Sequence, residues 1–302
     1  VRSRSTIIIY FGTINPPCAG GVYKMGKASA PGGMLDNVIY SVNEQYNPTV
    51  TMNTGEWQVW TMANLGNNTW FNIKLVDETG KNDLPLYIIG NDGDSGVIKT
   101  PSETDTIFVP PGKRMTVLAR VSQPGKYYLL NNASEAITPT DPNQTPNGYF
   151  DFLTPNGYLN DGRFKHPQAV IGTVEVAGQP APAEVPIPEI KGDLPSSKGS
   201  DLLAATPDNY RQLEFKTQTR PGNPVPAFLI NGKDWPNVPV IMPMLDTVEE
   251  WTLLNASGEI GKLEWHPFHI HQNDFTIKSI NDVELTKLSD FVRDTVALPP
   301  PY

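Results

Sequence analysis

Short runs of β-branched and aromatic residues recur along the first part of the chain, each bounded by residues that favour turns. Runs of this length, with apolar and polar positions alternating, are typical of strands in an antiparallel sandwich or barrel. Asn91-Asp92-Gly93 and Pro110-Pro111-Gly112 have the composition of the turns between such strands. The pattern predicts an all-β fold with strands at Thr6–Phe11, Val38–Val42, Thr49–Met52, Trp57–Ala63, Trp70–Leu75, Leu86–Ile89, Thr106–Val109, Met115–Val121, Tyr127–Leu130 and Ala169–Val176.

A proline-rich stretch divides the chain. Residues 178–200 contain Pro180, Pro182, Pro186, Pro188 and Pro195. Proline removes a backbone donor and fixes φ, so this stretch cannot form a helix or a central strand and is predicted to be an extended linker. The sequence therefore predicts one domain over residues 1–177 and a second over residues 201–302.

The second domain repeats the first in outline. The segment Trp60–Gly66 has an echo in Trp251–Gly258, and Val42-Asn43 has one in Ile230-Asn231. Internal similarity of this kind indicates two copies of one sandwich. After the echoed segment the copies diverge, because the first continues without histidine and the second continues into a histidine cluster.

Composition and charge exclude several classes of partner. The chain has 302 residues, a formal net charge of −9 and a sequence pI near 5.0. Nucleic acids and anionic membrane surfaces need clustered Lys and Arg, which do not occur here, and no apolar run reaches the roughly 20 residues of a membrane span. Cys18 is the single cysteine, so no intrachain disulfide forms, and we interpret it as structural or incidental rather than as a metal ligand.

Three of the four histidines lie in the six residues His266-Pro267-Phe268-His269-Ile270-His271. Imidazole is the commonest nitrogen ligand for copper and zinc, so a cluster this dense predicts metal binding. Side chains two apart on a strand share a face, which places His269 and His271 together and His266 on the opposite side. Pro267 cannot donate to a sheet ladder, which favours a bend or a sheet edge there. The segment is therefore predicted to serve two different metal centres.

Other candidates have simpler interpretations. His166 is predicted to be a surface residue, and Glu264, Asp274 and Asp290 to be solvated carboxylates at strand ends rather than proton donors. The remaining candidates are two methionines whose thioethers could bind Cu(I), but core packing is the favoured interpretation of both: Met242 and Met244.

The histidine cluster and its surroundings resemble a known family. The run Glu264–His271, with Val248–Trp251 before it and Phe291–Val296 and Leu298–Pro300 after it, resembles the third cupredoxin domain of a three-domain multicopper oxidase of the laccase-like family. The resemblance implies two cupredoxin-like Greek-key β-sandwich domains.

The first domain carries a weaker resemblance to the same family. Asn47–Val50, Gly55–Trp60 and Val109–Arg114 are similar to its second domain, a cupredoxin without copper. The similarity extends over nearly the whole chain, and the histidine motif is its specific part.

The resemblance implies a role for each histidine of the motif. His266 would bind the type 1 blue copper, His269 the type 2 copper and His271 one ion of the type 3 pair. The complete enzyme would couple one-electron oxidation of phenolic, aromatic amine or metal-ion substrates to reduction of dioxygen to water. A periplasmic or secreted location is also implied.

The same resemblance exposes what the sequence lacks. The family's thiolate ligand comes from a His-Cys-His segment, and its first domain supplies two His-x-His pairs; neither occurs here. We therefore expect this chain to be a fragment whose second cupredoxin domain is incomplete. An open sheet edge would then need a partner, either the missing domains or another copy of the chain.

Two alternatives to the oxidase stay open at this point. A copper nitrite reductase also uses cupredoxin repeats, although paired histidines after a proline fit the oxidase better. A non-catalytic cupredoxin scaffold or copper carrier is the alternative from a different functional class.

Overall fold

The computed structural model describes residues 6–14, 39–66, 71–92, 102–104, 107–131, 169–182, 187, 199–238, 240–257, 266–280, 282–284 and 293–298. Within these ranges nearly all regular structure is β. The only described helix is α1 (Gly199–Ala204), which begins just inside the predicted linker, after its last proline. No described helix is long and apolar enough to cross a membrane.

The N-terminal half, defined here as strands β1 to β12, is a sandwich of two sheets. One sheet has the strand order β2-β1-β4-β10-β7-β8, and the other has the order β3-β12-β11-β5-β6 with β9 also paired to β5. The strands are β1 (Thr6–Ile14), β2 (Ile39–Val42), β3 (Thr49–Asn53), β4 (Trp57–Asn64), β5 (Phe71–Asp77), β6 (Asp83–Leu84), β7 (Leu86–Asn91), β8 (Ser102–Thr104), β9 (Ile107–Val109), β10 (Arg114–Arg120), β11 (Gly125–Asn131) and β12 (Ala169–Ala177).

Alternation along these strands builds the core between the two sheets. In β4 every second residue from Gln58 is buried, and in β5 Phe71, Ile73 and Leu75 are buried while Asn72 and Lys74 between them are more exposed. Trp60 and Phe71 are completely buried in the same apolar cluster. This two-residue period is the signal from which the strands were predicted.

The ten predicted strands are confirmed, with small differences at their ends, while β6 and β8 were not predicted. The turn at Pro110-Pro111-Gly112 is also confirmed, because the Lys113 N–H donates to the Pro110 carbonyl at 3.0 Å and Gly112 has φ of 82°. The antiparallel expectation is only partly right. The pairs β1·β4 and β3·β12 are parallel. Parallel and antiparallel strands show the same alternation of buried and exposed residues, so the sequence pattern does not distinguish them.

The C-terminal half, defined as β13 to β19, is built from smaller sheets. Its largest sheet has the order β14-β13-β15, and two further pairs are β16·β19 and β17·β18. The strands are β13 (Asn209–Arg220), β14 (Asn223–Ile230), β15 (Glu249–Asn255), β16 (His266–His269), β17 (Ser279–Ile280), β18 (Val283–Glu284) and β19 (Thr295–Leu298).

The predicted internal repeat is confirmed by matching contacts in the two halves. The Trp60 indole donates to Gln58 and the Trp251 indole to Glu249, each two residues earlier. Each tryptophan strand also pairs in parallel with the first strand of its half, β4 with β1 and β15 with β13. The echo therefore reflects shared topology.

An asparagine ends each of these tryptophan strands with the same set of bonds. Asn64 accepts from the Gly66 N–H and donates to the Val109 carbonyl. Asn255 in turn accepts from the Ser257 N–H and donates to the Leu298 carbonyl. Ser257 thus occupies the position that Gly66 has in the N-terminal half, and Leu298 that of Val109.

Strand pairing identifies the counterparts of the histidines. Val109 lies opposite Phe71, and Leu298 lies opposite His266. Because Val109 and Leu298 are equivalent, Phe71 is the counterpart of His266. Counting along the strands then makes Lys74 the counterpart of His269. The histidine-free strand β5 and the histidine strand β16 are thus the same element of the repeat.

Candidate metal centres

The histidine motif lies on β16, whose described neighbour is β19. The Ile270 N–H donates to the Asp294 carbonyl at 3.0 Å, which marks a hydrogen-bonded pair of the ladder. Such pairs alternate in antiparallel sheets, so Pro267 falls in a pair that needs no N–H. The proline therefore fits within the strand. Among the described residues β16 has no second neighbour, which agrees with the second of the two predicted arrangements, a sheet edge.

His266 faces the interior of the C-terminal half. Its strand neighbour Phe268 is buried, and its ring lies 6.3 Å from the Phe215 ring centroid. Burial lowers the pKa of His266 to about 4, so the ring is neutral at physiological pH. Nε2 lies 2.6 Å from the Ser257 Oγ. Nδ1 has no hydrogen-bond partner among the described residues and is the nitrogen left for a metal.

Ser257 ties His266 to the sheet. Its buried Oγ also accepts from the Thr217 N–H at 2.7 Å. The equivalent residue of the N-terminal half is Gly66, which has no hydroxyl, and the ring opposite is Phe71 instead of an imidazole. The hydroxyl is thus present in the half that has a histidine to hold.

We expect Ser257→Ala to lower the free energy of unfolding by about 2 kcal/mol, because the half-buried Thr217 N–H and His266 Nε2 both lose their partner. Urea unfolding followed by tryptophan fluorescence measures this change. Ser279→Ala is the control, since Ser279 is exposed and its removal should cost no more than about 0.5 kcal/mol. Equal effects of the two substitutions would contradict the assignment.

His269 lies on the opposite, open side of β16, and its ring is oriented through Nδ1. This nitrogen is 3.0 Å from the Asp294 carbonyl oxygen and 2.9 Å from the Thr295 Oγ1. A carbonyl can only accept, so this contact favours the tautomer with the hydrogen on Nδ1. Nε2 then keeps its lone pair on an exposed part of the ring, which is the arrangement a metal ligand needs.

His271 lies beside His269. The two ring centroids are 4.9 Å apart with an interplanar angle of 64°, and both side chains are exposed. The structure therefore agrees with the predicted division of the three rings: His266 faces the interior, and the other two form a pair on the outer face.

The donor set fits copper in kind and is incomplete in number. His266 and His269 each have one ring nitrogen held by a hydrogen bond and the other available, which suits copper ligation. Among the described residues, however, no group of three or more His, Cys, Asp or Glu side chains could hold a metal ion. The three histidines are thus partial ligand sets for two separate places, and their metal binding stays a prediction.

Asp294 is a functional candidate that sequence reasoning missed. Burial alone would raise the pKa of Asp294, but hydrogen bonds from Arg114 and Thr295 outweigh it and hold the pKa below its usual value. Its carboxylate Oδ1 is 3.3 Å from the Nδ1 of His269. The only available signal was its place in the family-like segment Phe291–Val296.

The weaker candidates have mixed outcomes. Core packing of Met242 and Met244 is wrong: they are 76% and 70% exposed. Residues 240–248 form no strand, and it is Ile241 of this segment that packs against the C-terminal core. Asp274 is exposed, as expected for a carboxylate at a strand end. The others lie outside the described residues: Cys18, His166, Glu264 and Asp290.

Comparison with known families identifies the chain. Two family models, each described as multicopper oxidase, match it over residues 21–150 and 203–301, together more than half of its length. The chain belongs to the multicopper oxidase family. The second match includes the three histidines of this multicopper oxidase. No curated protein sequence matches the chain.

Solved structures show the same fold. This multicopper oxidase chain is 16% identical to a metallo-oxidase from Campylobacter jejuni, with a TM-score of 0.63 over 98% of this chain and 56% of that one. It is 17% identical to the laccase-like CueO from Ochrobactrum sp., with a TM-score of 0.65 over 98% and 58%. For McoA from Aquifex aeolicus the identity is 18% and the TM-score 0.61, over 98% and 57%.

These likenesses establish the cupredoxin fold. The chain spans 56–58% of the length of the three structures. Activity, substrates and partners of the whole protein are therefore treated as proposals below.

Proposed function

We propose that this chain is part of a laccase-like multicopper oxidase. The enzyme couples one-electron oxidation of phenolic, aromatic amine or metal-ion substrates to the reduction of dioxygen to water. The observation that carries the proposal is the division of three closely spaced imidazoles between the interior and the outer face of one strand. A single shared metal site would instead require all three rings to converge.

The proposed ligand roles follow this division. His266 would bind type 1 copper through Nδ1, His269 would bind type 2 copper through Nε2, and His271 would bind one ion of a type 3 pair. Bound copper supplies the one-electron chemistry that protein side chains lack. Other ligands would come from parts of the natural protein outside this sequence.

The contribution of the protein is to orient and space these groups. Ser257 and the Phe215 ring hold His266 in a largely dry environment, while Asp294 and Thr295 orient His269. His266 and His269 are three residues apart on one strand, so their Cα atoms are separated by about 10 Å. The strand thus gives two centres a short and fixed separation.

Copper analysis of the natural full-length protein tests the proposal. We expect about four coppers per molecule with strong blue absorption, as a thiolate-bound copper gives. His269→Gln combined with His271→Gln should lower the copper content and abolish oxidase activity. The matched control is His166→Gln, since His166 is the one histidine outside the motif and its loss should leave the copper content unchanged.

Other outcomes of that experiment favour the alternatives. A protein with neither copper nor visible absorption would support a non-catalytic scaffold, and reduction of nitrite in place of dioxygen would support a nitrite reductase. A copper content unaffected by the double substitution would rule out the assigned ligands.

Organisation and location complete the proposal. Residues 1–177 would form the copper-free cupredoxin domain, 178–200 the linker, and 201–302 the copper-binding domain. The reaction partners would be a small reducing substrate and dioxygen, in the periplasm or outside the cell. The open edge of β16 would be covered by further domains of the protein or by a second copy.

A further inference from the structure

We propose that Arg114, a residue of the copper-free half, is a positioning residue for His269. Acting through Asp294, Arg114 fixes which nitrogen of the His269 ring carries the hydrogen and leaves Nε2 available to copper. The copper part of this proposal rests on the function proposed above. The orientation of the ring does not, and it can be measured without metal.

The contact between the halves is a two-pronged ion pair. Arg114 Nη1 donates to Asp294 Oδ1 at 2.7 Å, and Nη2 donates to Oδ2 at 2.5 Å. Arg114 is itself anchored within its own half, because Nη1 also donates to the Gly112 carbonyl and Nη2 to the Asp92 carbonyl. Parallel bonds from a guanidinium fix both the place and the plane of a carboxylate. Asp294 therefore has one orientation.

The orientation of Asp294 determines the hydrogen on the His269 ring. Thr295 donates its single hydroxyl hydrogen to Asp294 Oδ1 at 2.7 Å, because an ionised carboxylate can only accept. The lone pairs of the Thr295 Oγ1 then face His269 Nδ1 at 2.9 Å. Both neighbours of Nδ1, this oxygen and the Asp294 carbonyl, are acceptors. The ring is held as the Nδ1–H tautomer.

A second contact from the same half fixes the backbone at Thr295. Lys113 Nζ donates to the Thr295 carbonyl at 3.2 Å, and the Thr295 N–H donates to Asp92 Oδ2 at 3.2 Å. Both ends of this peptide segment are thus bonded to the N-terminal half. Loss of the Arg114 fork should therefore release the side chain of Asp294 while Thr295 stays in place.

The test is the tautomer of His269 in the metal-free, full-length protein, read from the nitrogen shifts of ¹⁵N-labelled imidazole. The His269 signals are assigned by His269→Gln. Wild type should show Nδ1–H alone. Arg114→Gln should show both tautomers, because the released Thr295 hydroxyl can then donate to Nδ1 in competition with the Asp294 carbonyl that accepts from it. Copper affinity at His269 should fall about 10- to 100-fold in the same variant.

The matched control is Arg220→Gln, which breaks another Arg–Asp pair of the chain, Arg220 with Asp234. Its His269 tautomer and copper affinity should equal those of wild type. Equal results for Arg114→Gln and Arg220→Gln would overturn the proposal. If Arg114→Gln does not fold, Arg114→Lys takes its place, since lysine keeps the charge without the fork; an unchanged ring spectrum there would also overturn it.

Failure of the proposed function is distinguishable from failure of this inference. A wild-type protein that binds no copper, but whose His269 tautomer depends on Arg114, would refute the oxidase and retain the positioning role. A protein that binds copper with an affinity independent of Arg114 would retain the oxidase and refute the positioning role.

Discussion

Asp92→Asn is expected to lower the free energy of unfolding by about 3 kcal/mol or more. Asp92 accepts from Lys113 Nζ at 2.6 Å, and both side chains are completely buried. Burial lowers the pKa of Lys113 to about 8 even with Asp92 beside it. Without the carboxylate, the ammonium must stay buried without this opposite charge or lose its proton, and deprotonating a lysine at pH 7 costs at most about 5 kcal/mol.

Asparagine is the informative replacement because Asp92 has a positive φ of 53°, a conformation that asparagine tolerates well. The matched control is Asp83→Asn. Lys74 and Asp83 are also 2.6 Å apart, but their side chains are 20% and 35% exposed, so the loss should stay below about 1 kcal/mol. Chemical unfolding of both variants gives the comparison, and similar losses would contradict the structural role of the buried pair.

The metal-free protein is expected to lose about 3 kcal/mol of stability between pH 6.5 and pH 4 through His266 alone. Burial lowers the pKa of His266 to about 4 in the folded chain, from an ordinary value of 6.5. The unfolded chain therefore gains a proton in this window and the folded chain does not. This contribution is fully present above pH 6.5 and is lost as the pH falls toward 4.

Carboxylates titrate in part of the same window, so the prediction needs a variant without the imidazole. His266→Phe is the natural choice, because Phe71 occupies the equivalent position of the N-terminal half. Urea unfolding at several pH values gives the loss of unfolding free energy over this range, which should be about 3 kcal/mol smaller for the variant than for wild type. Parallel pH profiles would show that His266 is not the responsible group.

The strands of the N-terminal half could be predicted because each has one buried and one more exposed face. Trp57–Asn64 shows the reason, since its inward and outward residues alternate almost throughout. The partner of each strand could not be predicted, because alternation is the same in parallel and antiparallel pairs. The parallel pairing of β4 with β1 depends on contacts between residues far apart in sequence.

The sides of the strand to which the candidate histidines point could be predicted from the sequence. The residues that hold their rings in place could not. Alternation along β16 separates His266 from His269 without any knowledge of neighbours. The Arg114–Asp294 ion pair, in contrast, joins residues 180 positions apart, and no local pattern reports such a contact. The error at Met242 has a related cause. Its neighbour Ile241 packs against the core, and which side chain of a segment without strand structure turns inward depends on contacts with distant residues.

The equivalence of Phe71 and His266 has a consequence for the protein that is made when copper is scarce. The phenyl ring of Phe71 completes the packing of its own half. In the copper role proposed above, the His266 imidazole instead leaves Nδ1 for an ion from outside the protein. A copper-starved cell would therefore make a protein in which one half is complete and the other lacks its metal. The N-terminal half, with Phe71, would be complete once folded, whereas the C-terminal half, with His266, would depend on the copper supply for its metal bond.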